Sequence, residues 1–272
     1  MSHRSARRVR RLPLAVMALT AVAAMAVPSA LGSAAGAATT TLCGFQAARV
    51  GGGSYVVQNN EWNSGAPECV TTDGNADFAV ASSSISNATG GSPGGYPSIY
   101  QGCHWGNCSS GGLAAKPVQA SDLGTVKVTT SWSTSQTGSG VYDVAYDIWF
   151  NQAPTTTGQP DCLELMVWLN HNGRVRPFGS EVLAKVRIGG RSYSVWEGTQ
   201  SSWNTVSYAM TTGTTSVRNL DIGQLAQDAI RRGYMPGSCW LIDVEAGFEL
   251  WQGGAGLATK SFSVTVRGEP AR

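Results

Sequence analysis

The sequence predicts an all-β domain, a sandwich or barrel, on three observations. Short runs rich in Val, Thr, Tyr and Trp, among them 125–132, 141–150, 182–188 and 262–266, are separated by Gly, Ser, Asn and Pro. Two further segments, 161–170 and 242–251, alternate in character with a two-residue period. Only one segment carries a helical period, so no βαβ alternation is present.

In chain order, residues 1–37 read as a secretion signal peptide. Arg4, Arg7, Arg8, Arg10 and Arg11 precede an apolar stretch from Leu12 to Leu31, and Ala35-Gly36-Ala37 fits a small-residue cleavage site. Pro13 and Pro28 punctuate the stretch and no second hydrophobic span follows, which favours a leader over a membrane helix. Arg10-Arg11-Leu12-Pro13 is a poor twin-arginine match, and both export routes stay open. Residues 38–272 then fit a single β domain.

Charge is read after removing the leader. The chain has 19 Lys and Arg against 17 Asp and Glu, and the leader holds five of the arginines, leaving 14 against 17, a net −3. A basic patch for nucleic acid or an anionic membrane is therefore not expected. All six cysteines (Cys43, Cys69, Cys103, Cys108, Cys162 and Cys239) follow the leader, and an exported chain meets an oxidising environment. Three disulfides are expected, in any of fifteen pairings. His104 lies between Cys103 and Cys108, but two cysteines and a histidine within six residues more simply form a disulfide loop than a zinc site. No metal or organic cofactor is expected.

The one helix is predicted after Asp221, which can cap it with Gln224 at capping-box spacing. Ile222, Leu225, Ala226, Ala229 and Ile230 form its apolar stripe, and Gly233 stops it. It is expected to pack on the outer sheet as a structural element.

The two alternating segments carry the chemistry. In 242–251, Ile242, Val244, Ala246, Phe248 and Leu250 alternate with Asp243, Glu245, Gly247, Glu249 and Trp251. In 161–170, Glu164, Met166, Trp168 and Asn170 share a face by the same period. Strands disfavour acids, and burying a carboxylate without a partner is expensive, so a carboxylate beside an aromatic and an amide needs a reason. Sugar-binding clefts have this composition, because pyranose faces stack on aromatic planes while polar groups read the hydroxyls. Two carboxylates facing such a cleft suit glycosidic cleavage, one protonating the leaving oxygen and one attacking or stabilising the anomeric carbon.

Glu164-Leu165-Met166-Val167-Trp168-Leu169-Asn170 and Gly247-Phe248-Glu249-Leu250-Trp251-Gln252-Gly253-Gly254 resemble the signature strands of glycoside hydrolase family 12, the small endo-β-1,4-glucanases. Tyr146-Asp147-Ile148-Trp149-Phe150 and the run Tyr96–Cys108 are further matches, the latter similar to the bacterial branch. The resemblance runs in the expected order from about Cys43 to Val266.

It implies a β-jelly roll of two stacked antiparallel sheets, with an open cleft on the concave one, and a secreted enzyme that is expected to be a monomer. By motif, Glu164 is the nucleophile, Glu249 the general acid/base, and Asp147 a third carboxylate near the nucleophile; the plain alternative for Asp147 is an exposed position beside Asp143. Trp62 resembles a substrate-stacking tryptophan, and Asn60, Met166, Trp168, Trp149 and Trp251 are carried with it as substrate-binding residues. Pro177-Phe178-Gly179 resembles the loop that crosses the cleft end. The resemblance also pairs Cys43 with Cys69 and Cys103 with Cys108, leaving Cys162 and Cys239. The implied substrate is a β-1,4-glucan, with xyloglucan or mixed-linkage glucan, or a non-catalytic carbohydrate-binding sandwich, as the alternatives. With no linker or cellulose-binding module in the sequence, soluble or amorphous glucan is expected rather than crystalline cellulose.

Overall fold

The computed structural model describes Met1 and residues 38–200 and 202–268. The arginine-rich leader expected over residues 1–37 lies outside the described residues, apart from Met1.

The chain enters through β1 (Thr40–Cys43), β2 (Ala47–Val50), β3 (Tyr55–Gln58), β4 (Glu68–Thr72) and β5 (Phe78–Ser83). β6 (Ser98–His104) and the short β7 (Asn107–Cys108) form the cysteine hairpin, followed by β8 (Val118–Gln119). β9 (Lys127–Ser135), β10 (Val141–Asn151) and β11 (Leu163–Asn172) are long central strands. β12 (Ser180–Ile188), β13 (Arg191–Thr199), β14 (Asn204–Met210) and β15 (Ser216–Asp221) lead into α1 (Ile222–Arg231). β16 (Trp240–Gly247), β17 (Leu250–Gln252) and β18 (Ala258–Arg267) complete the fold.

These strands make two sheets. The smaller runs β1-β4-β5-β18-β9-β15, and the larger runs β12-β13-β14-β11-β10-β16-β6-β3-β2, with β17 on β10, β7 on β6 and β8 on β16. Between them lies one apolar core, which includes Trp132, Tyr146, Ile148, Leu165 and Phe248. Side chains of this size contribute about 1.5–3 kcal/mol each when taken from water. Trp132 meets Tyr146 edge-on at 5.1 Å and donates its indole N–H to Thr259, so its polar atom is satisfied inside the core.

The expectation of antiparallel sheets holds with one exception. β11 and β14 run parallel, with Glu164 opposite Thr205 and Met166 opposite Ser207. The cause is the connection after β11. Ser180 pairs with Glu197, Glu197 with Val206, and Val206 with Leu165, so β12 starts level with Leu165 although β11 ends at Asn172. Residues 173–179 must therefore travel back along about seven residues of strand, roughly 23 Å, as an extended strap over the sheet face. Gly179 (φ 86°) docks the strap where a Cβ would strike the Glu197 carbonyl.

The helix has the predicted bounds but a different cap. The Asp221 side chain accepts from Gln224 Nε2 (3.1 Å) and Lys127 Nζ (3.2 Å) and caps no backbone N–H. Nor does the helix lie simply on the outer sheet. Leu225, Ala226 and Ala229 enter the common core, and Asp228 accepts the Tyr208 hydroxyl of β14 (3.1 Å), so α1 touches the larger sheet as well.

Three disulfides join Cys43 to Cys69, Cys103 to Cys108, and Cys162 to Cys239.

Candidate active site

Alternation places the acids. Along β11, Leu163, Leu165, Val167 and Leu169 point into the core, which turns Glu164, Met166 and Trp168 to the opposite face. The flanking strands carry that face sideways: Glu164 lies opposite Trp149 of β10, Met166 opposite Asp147, and Asp147 opposite Glu245 of β16. One correction falls here. A bulge between Trp149 and Phe150 leaves Ile242 unpaired and puts Leu241 rather than Ile242 into the core beside Val244.

Glu249 arrives by a different device. The predicted single strand is interrupted after Gly247 and resumes at Leu250. Across the gap, Phe248 donates its N–H to Pro97 and Leu250 to Gly95, while the fully buried Phe248 ring meets Phe78 and Trp132. Glu249 is thereby fixed against Asp143: the Asp143 N–H donates to the Glu249 carbonyl and the Glu249 N–H to Asp143 Oδ1, each at 3.1 Å.

Glu164, Asp147 and Glu249 line one cleft of about 1120 Å³. That exceeds the usual range for one small ligand and suits a chain of linked units. Trp62, Asn60, Trp149, Met166 and Trp251 line it too, and Trp62 is exposed. Asn60 holds a left-handed backbone (φ 50°), which asparagine tolerates better than most residues. Trp168 does not reach the cleft. It is buried with Ala145, Met166, Val175 and Trp251, because the strap residue Val175 and the Trp251 ring cover it.

The two glutamates sit in different electrostatic surroundings. Glu164 Oε2 accepts from Thr205 Oγ1 (2.7 Å) and Trp203 Nε1 (3.1 Å). Burial raises its pKa, and these two donors pull it back by favouring the ionised form. Glu249 is raised well above the usual carboxylate range by burial, then by the charge of Asp143 and a hydrogen bond to it, then by Glu164; nothing opposes the shift. Asp147 is also raised well above its ordinary value, by burial and then by Glu164, Glu249 and Glu245.

Several residues here escaped sequence reading. Asp143 is fully buried, and Asp147 is buried too, against the alternative of an exposed position; the face they share was the available signal. Thr205 and Trp203 reach Glu164 only through the parallel pairing, which no local periodicity encodes. Arg176 was missed as well: it brings the strap into the cleft wall beside Phe178, whose loop was expected at the cleft end, while Trp105 meets Trp149 edge-on at 5.0 Å.

Comparisons with known proteins agree with this geometry. The model of glycosyl hydrolase family 12 matches residues 53–267. The structure resembles endoglucanase Cel12A from Rhodothermus marinus at a TM-score of 0.78 and 39% identity, over 85% of this chain and all of that one. The family 12 xyloglucanase from Bacillus licheniformis is similar at a TM-score of 0.74 and 27% identity, again over 85% of this chain and 100% of that one. A probable cellulase, Cel12b, of Mycobacterium tuberculosis is 34% identical over 127 residues, 47% of this chain and 82% of the relative. With the fold, the paired glutamates and the family match in agreement, the chain belongs to glycosyl hydrolase family 12 and is a glycoside hydrolase of the endoglucanase type.

Proposed function

We propose that the protein is a secreted, monomeric endo-β-1,4-glucanase that cleaves internal glucosidic bonds with retention of anomeric configuration. One observation carries this reading: Glu164 and Glu249 line the same cleft on the same sheet, and only Glu164 holds hydrogen-bond donors that favour its charge.

Glu249, kept protonated by burial and by Asp143, delivers its proton to the departing glycosidic oxygen. Ionised Glu164, oriented by Thr205 and Trp203, attacks the anomeric carbon and forms a glycosyl-enzyme. The deprotonated Glu249 then takes a proton from water, which releases the sugar and restores both groups. Asp147 stands opposite Met166, next to Glu164 on that strand's face, and tunes its proton balance. Trp62 and Phe178 offer exposed ring faces for pyranose stacking.

Xyloglucan is the second reading, favoured by the resemblance to the Bacillus xyloglucanase and by the size of the cleft. Export is supported by the arginine-led leader and by three disulfides, which persist in oxidising compartments.

Proton NMR during digestion of a β-1,4-gluco-oligosaccharide tests the mechanism. Initial β-anomer supports double displacement, whereas initial α-anomer overturns it. Glu164→Gln is expected to abolish turnover while leaving oligosaccharide binding measurable.

A further inference from the structure

Asp243 takes no part in the reaction just described. It is fully buried, and neither carboxylate oxygen has a hydrogen-bond partner. An isolated buried carboxylate is costly, so a fold that keeps one supplies a counter-charge or a proton.

The backbone makes room for this carboxylate. Asp243 pairs across the sheet with Gly102 of β6, where φ is 137° and a Cβ would lie 2.6 Å from Asp243 Oδ1. Glu245, two residues on along β16, and His104, two residues on along β6, flank this pair from its two sides, because the strands run antiparallel. One donor atom from each of His104, Asp243 and Glu245 lies within 4.8 Å of the other two. Glu245 is already aimed: Gln58 Nε2 (2.7 Å) and Ser98 Oγ hold Oε1, leaving Oε2 toward His104 Nδ1 at 2.9 Å. The His104 side chain is 15% exposed and lines the cleft, which gives an ion a route in.

We propose that His104, Asp243 and Glu245 form a divalent metal site beneath the Cys103–Cys108 hairpin. One imidazole and two carboxylates, with a further position open to water, suit a borderline ion such as Zn²⁺ or Mn²⁺; Ca²⁺ prefers six to eight oxygen ligands. The ligand set differs from the Cys-His-Cys set that the sequence brings to mind, whose sulfurs are consumed by the disulfide. The ion satisfies Asp243, takes the place of the direct His104–Glu245 contact, and ties the hairpin to β16. Trp105, next to His104 and exposed at the cleft wall, is thereby held in place. The site supplies rigidity and takes no part in glycosidic bond cleavage, so it stands or falls separately from the proposed reaction.

The test uses the folded protein after EDTA treatment and removal of the chelator. Titration with Zn²⁺ is expected to show one ion per chain by calorimetry and elemental analysis, with a rise in Tm that Ca²⁺ does not reproduce. Asp243→Asn and Glu245→Gln are each expected to weaken Zn²⁺ binding by at least about tenfold. In crystals grown with Zn²⁺, anomalous scattering places the ion among the three side chains. Failure of the EDTA-treated protein to bind Zn²⁺ or Mn²⁺ overturns the proposal, and so does a bound ion located elsewhere. The anomalous map needs only the unsubstituted protein, so a variant that fails to fold does not remove the test.

Discussion

Asp143 grips the Glu249 residue through both of its backbone polar groups, receiving its N–H on Oδ1 and donating its own N–H to its carbonyl, each at 3.1 Å. The carboxylate that raises the Glu249 pKa is thus the one that fixes Glu249 in space. Asp143→Asn keeps much of the shape and removes the charge, which lowers the Glu249 pKa. The alkaline limb of the kcat/KM–pH profile is expected to move to lower pH, with the acid limb less affected; an unmoved alkaline limb contradicts this account.

Thr205→Val tests the other glutamate. The Thr205 hydroxyl donates to Glu164 Oε2 at 2.7 Å and favours the ionised form. A hydrogen bond to a charged group is worth about 1.5–3 kcal/mol, so kcat/KM is expected to fall about 10- to 100-fold. Its loss raises the Glu164 pKa, and the deficit should widen as pH falls. A deficit equal at all pH values would assign Thr205 to packing alone.

Glu68 governs stability rather than activity. It is buried with both carboxylate oxygens unpartnered, and burial with the nearby Glu61 charge pushes its pKa up to about 8. The unfolded chain releases this proton near 4.5, so between about pH 4.5 and 8 the native state binds more protons than the unfolded one. Stability therefore declines as pH rises through that window. Glu68→Gln removes this contribution: Tm at pH 8 should rise relative to the parent, while the two proteins converge near pH 4.5.

Trp62 offers a nearly free ring face, 47% exposed, at the cleft rim. An aromatic contact of about 0.5–1.5 kcal/mol implies that Trp62→Ala raises KM for a gluco-oligosaccharide about 2- to 12-fold. Short substrates that do not reach Trp62 should be indifferent, which a chain-length series of kcat/KM will show.

The Cys162–Cys239 disulfide closes 77 residues of chain. Replacing both cysteines by Ala is expected to cost about 2–5 kcal/mol, read as a lower denaturation midpoint with an unchanged far-UV spectrum at room temperature.

Much of this was legible in the sequence because period two is a local property. The alternation of Glu164, Met166 and Trp168 with Leu163, Leu165 and Val167 predicts which face of β11 meets the core without any knowledge of its neighbours. The misplacement of Ile242 shows the limit of that logic: one bulged residue shifts the parity of everything before it. Trp168 shows another limit, since its face was read correctly but the strap that buries it comes from residues 173–179. Thr205 and Trp203 were illegible for a third reason. They follow Glu164 by about forty residues, and they meet it only because β12 and β13 fold outward before β14 docks beside β11.

That docking has a consequence for biosynthesis. A chain that has formed β10 and β11 but has not yet placed β14 already carries Glu164 in its strand, yet lacks both donors that sustain its negative charge. Competence therefore waits for a contact of long sequence separation, which forms slowly in β proteins. Fragments ending before residue 205, and partly folded chains emerging from export, should be inert toward glucan however native their central hairpin is.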